Sequence, residues 1–248
     1  MLHHEISGNG KKPLVLLHGF MENTTIWDEM EAHLSKDFTL IKIDLPGHGK
    51  SKVYQEIHTV ELMAEKVKEV IDALKLEKIN LLGHSLGGYV SLAFAENFPE
   101  ILESMTLFFS TTVADDEEKK AIRRRSIAVI DENFETFVKT SIPNLFSNNE
   151  KDILEGKIEL AKNIAKSTDK EGVKAAQLGM AERPDRTEIL ENLDAKILII
   201  AGKYDNAVKT ENLLKIIPEK TNIKTYVLDC GHNGHWEKPT ICAEIINT

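Results

Sequence analysis

Positive charge is what this chain is short of: 31 Lys and Arg face 40 Asp and Glu, leaving a formal net charge of -9. Phosphate backbones are bound mainly through clustered Lys and Arg, so no nucleic-acid partner is expected. The one basic run, Arg123 to Arg125, follows the acidic run Asp115 to Glu118 and reads as a solvated helix face with paired charges. Cysteine is also scarce. Cys230 and Cys242 are too few for a disulfide framework and do not stand at a metal-ligand spacing, which fits a reducing compartment. No stretch approaches the roughly 18 apolar residues of a membrane span. The opening MLHHEISGNGKKP lacks the apolar core of a secretory signal. These absences lead to the expectation of a cytoplasmic protein with no membrane partner, and they leave monomer and homodimer equally open.

What is present is an alternation. Across 248 residues, 42% of them apolar, short apolar runs alternate with amphipathic helical patterns, the mark of a parallel sheet covered on both faces. The strand candidates are Leu14 to Leu17, Leu40 to Ile43, Ile79 to Leu82, Met105 to Phe109, Ile197 to Ile200 and Lys224 to Leu228. Between them run helix patterns at Trp27 to Leu34, Val60 to Leu74, Leu86 to Asn97, Thr187 to Leu193, Thr210 to Ile216 and Thr240 to Ile246. From about Ala114 to Arg186 the rhythm breaks and only charged helical segments remain. The expected organisation is an α/β core domain of residues 1–112 and 187–248 with a helical cap, or lid, of residues 113–186. No repeat of 20 to 50 residues points to a solenoid.

The chemistry begins at Gly83-His84-Ser85-Leu86-Gly87, a G-x-S-x-G between a strand pattern and a helix pattern. A serine hydroxyl is a weak nucleophile at neutral pH, so it must be exposed, held near a base and surrounded by donors for the oxyanion it creates. A sharp strand-to-helix turn flanked by glycines meets the first need. The helix starting at Leu86 aims unpaired N–H groups towards the serine, which makes the Leu86 amide one candidate oxyanion donor. The second should come from the loop after Leu14 to Leu17, where Gly19 permits a tight turn and leaves the Phe20 amide free. His18 in the same loop reads as structural.

Near the C-terminus, Thr225 to Leu228 is followed by Asp229-Cys230-Gly231-His232-Asn233-Gly234-His235. A histidine on a loop at a strand's carboxyl end lies where open α/β sheets build their sites, so His232 suits a general base. His235 is its rival. Together they form H-x-x-H, but no third ligand cluster accompanies it, so no metal is expected and no cofactor. The orienting carboxylate should be Asp205, just past the strand Ile197 to Ile200, with Asp229 as the second choice.

These residues make the chain resemble the α/β-hydrolase superfamily, close to its esterase and haloperoxidase-like small-molecule branches. The resemblance rests on His18-Gly19-Phe20, on Asp44-Leu45-Pro46-Gly47-His48-Gly49-Lys50-Ser51, on Gly83 to Gly88, and on Gly231-His232 with Glu237 and Pro239. It implies a mostly parallel sheet of about seven strands flanked by helices, with a cap inserted after the sixth-strand position, and a catalytic triad of Ser85, Asp205 and His232. The order Ser, Asp, His is that of the superfamily. One departure stands out: only a single short strand, about Leu2 to Ile6, precedes Leu14, so the usual first antiparallel strand is missing. The Asp44 to Ser51 stretch is, by the same resemblance, a structural turn. Haloalkane dehalogenases and epoxide hydrolases place aspartate where Ser85 stands, which disfavours both.

The expected activity is hydrolysis of a small carboxylic ester or related acyl compound through an acyl-enzyme. Perhydrolysis, carbon–carbon cleavage, a lyase reaction and a low-turnover small-molecule sensor are the alternatives that use the same residues. The substrate is expected to be apolar, in a pocket with contributions from Phe20, His84, Phe134, Phe137, Leu145, Phe146, Met180 and His235, although the cap residues among them serve equally well as cap core.

Overall fold

A computed structural model describes residues 1–34 and 36–248. In chain order its elements are β1 (His4–Ser7), β2 (Lys12–Leu17), α1 (Asp28–Leu34), β3 (Phe38–Ile43), α2 (Val60–Ala73), β4 (Ile79–His84), α3 (Leu86–Asn97) and β5 (Leu102–Phe108). The helices α4 (Glu117–Ser141), α5 (Glu155–Ser167), α6 (Lys170–Glu182) and α7 (Glu188–Asn192) follow. Then come β6 (Lys196–Gly202), α8 (Thr210–Lys215), β7 (Ile223–Leu228), α9 (Gly234–Glu237) and α10 (Pro239–Ile246).

One seven-stranded sheet runs in the order β1-β3-β2-β4-β5-β6-β7. Every pairing is parallel except β1 with β3, where His4 faces Ile43. The α/β alternation read from the sequence is present, the sheet has the seven strands that the resemblance implies, and the short leading strand lies at its antiparallel edge. β5 stops at Phe108, one residue earlier than its apolar run, because Phe109 turns to φ 50°.

Strand side chains alternate between faces, and the core divides accordingly. Val15, Leu17, Ile41, Leu81, Leu107 and Ile199 point to one side, where α2 and α3 supply Val67, Val70, Val90 and Phe94. Leu14, Leu16, Leu40, Leu82, Phe108 and Ile200 point to the other, against Trp27 just before α1, Met30 of α1, and Cys242 and Ala243 of α10. Burying each such large side chain is worth about 1.5–3 kcal/mol relative to leaving it exposed. The two layers therefore hold the sheet rigidly and leave its carboxyl edge to the loops.

Between β5 and β6 the chain is helical throughout its regular elements. α4 is broken at Asn133 (φ -155°, ψ 81°), whose side chain accepts from the Thr136 amide at 2.9 Å and so starts a second helical segment. The segment is fastened to the sheet by backbone contacts: His58 N–H donates to Ala175 C=O at 3.0 Å and His232 N–H to Leu145 C=O at 2.8 Å. Gly47, at φ 74°, lies so near Gly172 that a Cβ there would stand 2.5 Å from the Gly172 Cα. Among the described residues no helix is long and apolar enough to cross a membrane.

Candidate active site

Of the four non-glycine residues at positive φ among those described, three follow sheet strands at the carboxyl edge: Met21 after β2 (φ 58°), Ser85 after β4 (φ 49°) and Phe109 after β5 (φ 50°). Such conformations cost of order 1–3 kcal/mol and gather where a structure over-determines them. Ser85 is held there by its amide, which donates to Phe108 C=O at 3.0 Å, and by Ser110 Oγ, which donates to Ser85 C=O at 2.8 Å. The turn is too tight for flanking side chains. A Cβ on Gly83 would collide with the Gly87 backbone, and one on Gly87 would stand 2.8 Å from His18 C=O.

Two loops complete the site. The loop after β7 brings His232, 2% exposed, to Ser85: Nε2 lies 2.8 Å from Ser85 Oγ. Its Nδ1 lies 2.7 Å from Asp205 Oδ2, which comes from the loop after β6. The other carboxylate oxygen, Oδ1, accepts the amides of Ala207 at 2.7 Å and Val208 at 2.9 Å. An ionised carboxylate is acceptor-only, so Nδ1 carries the proton and Nε2 presents its lone pair to the Ser85 hydroxyl. The amides of Phe20 and Leu86 donate to no protein acceptor among the described residues. Thus Ser85, His232 and Asp205, distant in sequence, form one chain of hydrogen bonds, and both named amides stand free.

Their rivals lie elsewhere. Asp229 is exposed and pairs with Lys203 at 3.1 Å. His235 is fully buried, its ring centroid 4.7 Å from that of His84 and 4.4 Å from that of Trp236, and burial drives its pKa well below the usual histidine value. His18 is structural: Nδ1 donates to Gly19 C=O at 2.7 Å while Nε2 accepts the Leu45 amide at 2.9 Å. Asp44 accepts the amides of Thr24 and Lys50, each at 2.9 Å, which makes its segment a bonded turn. No group of three His, Cys, Asp or Glu side chains gathers in a metal-holding arrangement among the described residues.

A cavity of about 720 Å³ opens over Ser85 and His232. Of the residues named from the sequence for a pocket, Phe20, His84, Phe137, Leu145 and Met180 line this cavity. Phe134, Phe146 and His235 do not, which corrects their assignment to the pocket. Phe146 is wholly buried and stacks on Trp236 at 6° and 6.0 Å, Phe134 packs on the core, and His235 sits beneath the site among aromatic rings. The wall is also more charged than an apolar pocket would be. Asp115, 5% exposed, bonds Arg123 and, at 2.8 Å, Arg183, and all three face the cavity. The two guanidiniums hold the Asp115 carboxyl down at about 2, against the burial that raises it. The supposedly solvated run therefore turns Arg123 inward, while Arg124 and Arg125 stay exposed.

One carboxylate went unread in the sequence. Glu22, 7% exposed, accepts the Gly19 amide at 2.6 Å and His84 Nδ1–H at 2.8 Å, and His84 Nε2–H donates to His232 C=O at 3.0 Å. Its one signal was an acidic residue three positions after Gly19, directly after the apolar pair Phe20-Met21.

Residues 12–239 match a family described as the alpha/beta hydrolase fold. A thermophilic esterase from Thermogutta terrifontis, solved with malate bound, superimposes with a TM-score of 0.92 at 32% identity, covering 99% of this chain and 91% of that one. A Bacillus subtilis protein described as a putative 2-succinyl-6-hydroxy-2,4-cyclohexadiene-1-carboxylate synthase is 27% identical over 96% of this chain and 90% of its own. An Escherichia coli 2-hydroxy-6-oxononadienedioate/2-hydroxy-6-oxononatrienedioate hydrolase is 26% identical over 95% and 86%. Against uncharacterized mycobacterial relatives, 34% identical over 111 residues, the chain spans only 32% of their length. The sheet order, the turn at Ser85 and a family match running over most of its length establish that this chain belongs to the α/β-hydrolase family.

Proposed function

We propose that the protein is a serine hydrolase that cleaves a small carboxylic ester or related acyl compound through an acyl-enzyme. The observation that carries the reading is the continuous hydrogen-bonded series Ser85 Oγ, His232, Asp205 at 2.8 and 2.7 Å. Ser85 Oγ attacks the acyl carbon while His232 Nε2 takes its proton. Asp205 holds Nδ1–H and stabilises the imidazolium, and the amides of Phe20 and Leu86 receive the oxyanion, each such donor being worth about 2.7–4 kcal/mol in a comparable site. Collapse expels the alcohol with the proton from His232, and water, deprotonated by His232, releases the acid. The helical segment of residues 113–186 serves as the cap over the cavity.

A panel of p-nitrophenyl esters of increasing acyl length tests this reading. Turnover is expected for short acyl groups and is expected to vanish in a folded Ser85→Ala variant. Full hydrolysis by that variant contradicts the assignment.

A second reading is carbon–carbon cleavage beside a carbonyl in a carboxylate-bearing substrate; Lys119, Arg123 and Arg183 stand on the cavity wall, but all three already pair with Asp115, so such a substrate would have to compete with that carboxylate. The names of the Bacillus and Escherichia relatives agree with it. Turnover of a 2-hydroxy-6-oxononadienedioate in preference to every ester in the panel would select it.

A further inference from the structure

We propose that Glu22 is a positioning residue for the Ser85 and His232 pair, acting through the Gly19 amide and the His84 ring to hold three loops in register. The proposal rests on the roles given above to Ser85, His232 and the Phe20 amide.

The loops after β2, β4 and β7 carry, respectively, the Phe20 amide, the Ser85 hydroxyl and the His232 ring. A single carboxylate oxygen, Glu22 Oε2, bonds the first loop through Gly19 N–H at 2.6 Å and reaches the second through Nδ1–H of His84, the last residue of β4 and the neighbour of Ser85, at 2.8 Å. His84 passes the connection to the third through Nε2–H, 3.0 Å from His232 C=O. Gly19 precedes Phe20, so moving its peptide moves the oxyanion amide. The His232 carbonyl belongs to the residue whose ring meets Ser85, so releasing it frees the base. Geometry of this kind is sensitive, because displacements near 1 Å can cost about a hundredfold in rate.

Two acceptors face the His84 ring, one at each nitrogen. A neutral imidazole has one N–H, so the ring that satisfies both is imidazolium, and Glu22 is its counter-ion. The charged groups around the pair agree. Glu22 faces His84, His235 (Nε2 at 3.8 Å from Oε1) and, farther off, His18. His84 faces Glu22, His235 and the His232 ring at 5.1 Å, with Asp205 beyond it and the Phe108 and Phe109 rings alongside. Although burial opposes it, the attraction of His84 takes the Glu22 carboxyl down to about 2, and that of Glu22 raises His84. The pair is neutral as a unit, so His232 can accept the Ser85 proton without an uncompensated cation behind it.

The experiment uses Glu22→Gln, which keeps the side-chain size and removes the charge. Its kcat, and the rate at which a fluorophosphonate labels Ser85, are expected to fall about ten- to a hundredfold with KM changed less than about threefold. His84→Gln is the second variant and is expected to lose kcat in the same way. Independently of turnover, ¹⁵N spectra of Ser85→Ala protein near pH 7 are expected to show both His84 ring nitrogens protonated, and one of them deprotonated when Glu22→Gln is added. An unchanged kcat in folded Glu22→Gln, a loss confined to KM, or a singly protonated His84 ring beside Glu22 overturns the proposal. A wild-type protein that neither labels nor turns over esters counts against the hydrolase reading instead, and the spectra still decide the role of Glu22.

Discussion

Along the carboxyl edge of the sheet, each side chain of the site stands within a few residues of the strand that aims it. In the helical segment between β5 and β6, side chains are placed by contacts made far along the chain. Ser85 follows β4 directly and Asp205 lies three residues past β6, whereas Phe137 meets the cavity from the second piece of α4, beyond the break at Asn133 and far along the chain from any strand. The first region is governed by local rules of pleat and turn. The second is governed by which helix faces meet, and that difference predicts how each should respond to substitution.

The largest effect belongs to the edge. Asp205→Asn leaves the fold in place but lets the His232 ring adopt the wrong tautomer, and kcat on a good ester is expected to fall about ten-thousandfold. A loss under tenfold in steady-state kinetics would place the orienting carboxylate elsewhere. In the helical segment the analogous large effect is on stability, not chemistry. Phe146→Ala opens a void beside Trp236 and is expected to cost about 3–5 kcal/mol in urea unfolding, with KM for any ester changing far less than stability does.

A pH series sharpens the contrast at the edge itself. The Glu22 carboxyl has a folded pKa of about 2 against an ordinary 4.5, so its stabilisation is complete above about pH 4.5 and is lost as pH falls towards 2. His84 runs the other way: with its pKa raised from 6.5, its contribution is complete below that value and disappears as pH rises through the folded one. Urea midpoints of wild type and Glu22→Gln should therefore converge between pH 4.5 and 2, and parallel curves would show that Glu22 is not ionised in the fold.

Smaller effects probe the joint between the regions. Gly172→Ala pushes a methyl into the Gly47 backbone and is expected to cost about 1–3 kcal/mol in the same assay, with the helical segment gaining hydrogen exchange first. Smallest of all, Phe137→Ala is expected to raise KM by roughly tenfold for longer acyl groups, whereas Phe134→Ala leaves KM alone. Equal effects from the two would mean that both rings reach the substrate.

The same contrast explains what could be read before the fold was known. Ser85, His232 and Asp205 were legible because glycine spacing, an apolar run and the loop after it are neighbours in sequence, and the sheet supplies the rest. That the stretch from about residue 114 to 186 is helical could be read from its loss of strand pattern. Its pocket residues could not: Phe134 and Phe137 are three apart on the same helical piece after Asn133, so spacing alone gives no ground for telling the ring that reaches the cavity from the ring that packs on the core. Arg123 was misread for a related reason. Its partner Asp115 is eight residues back, beyond any helical pairing rule, and Arg183 arrives from the far end of α6. Glu22 was missed because its bonds form only once the chain segments at the carboxyl ends of β2, β4 and β7, far apart in sequence, meet at one edge of the sheet.

The central claim is that His232 makes Ser85 nucleophilic. Mass spectrometry of the protein after brief fluorophosphonate treatment tests it most directly: one adduct on the peptide carrying residue 85 is predicted, and its near-total loss in folded His232→Ala. An unmodified residue 85 in the wild-type protein, or equally fast labelling without the imidazole, would contradict it.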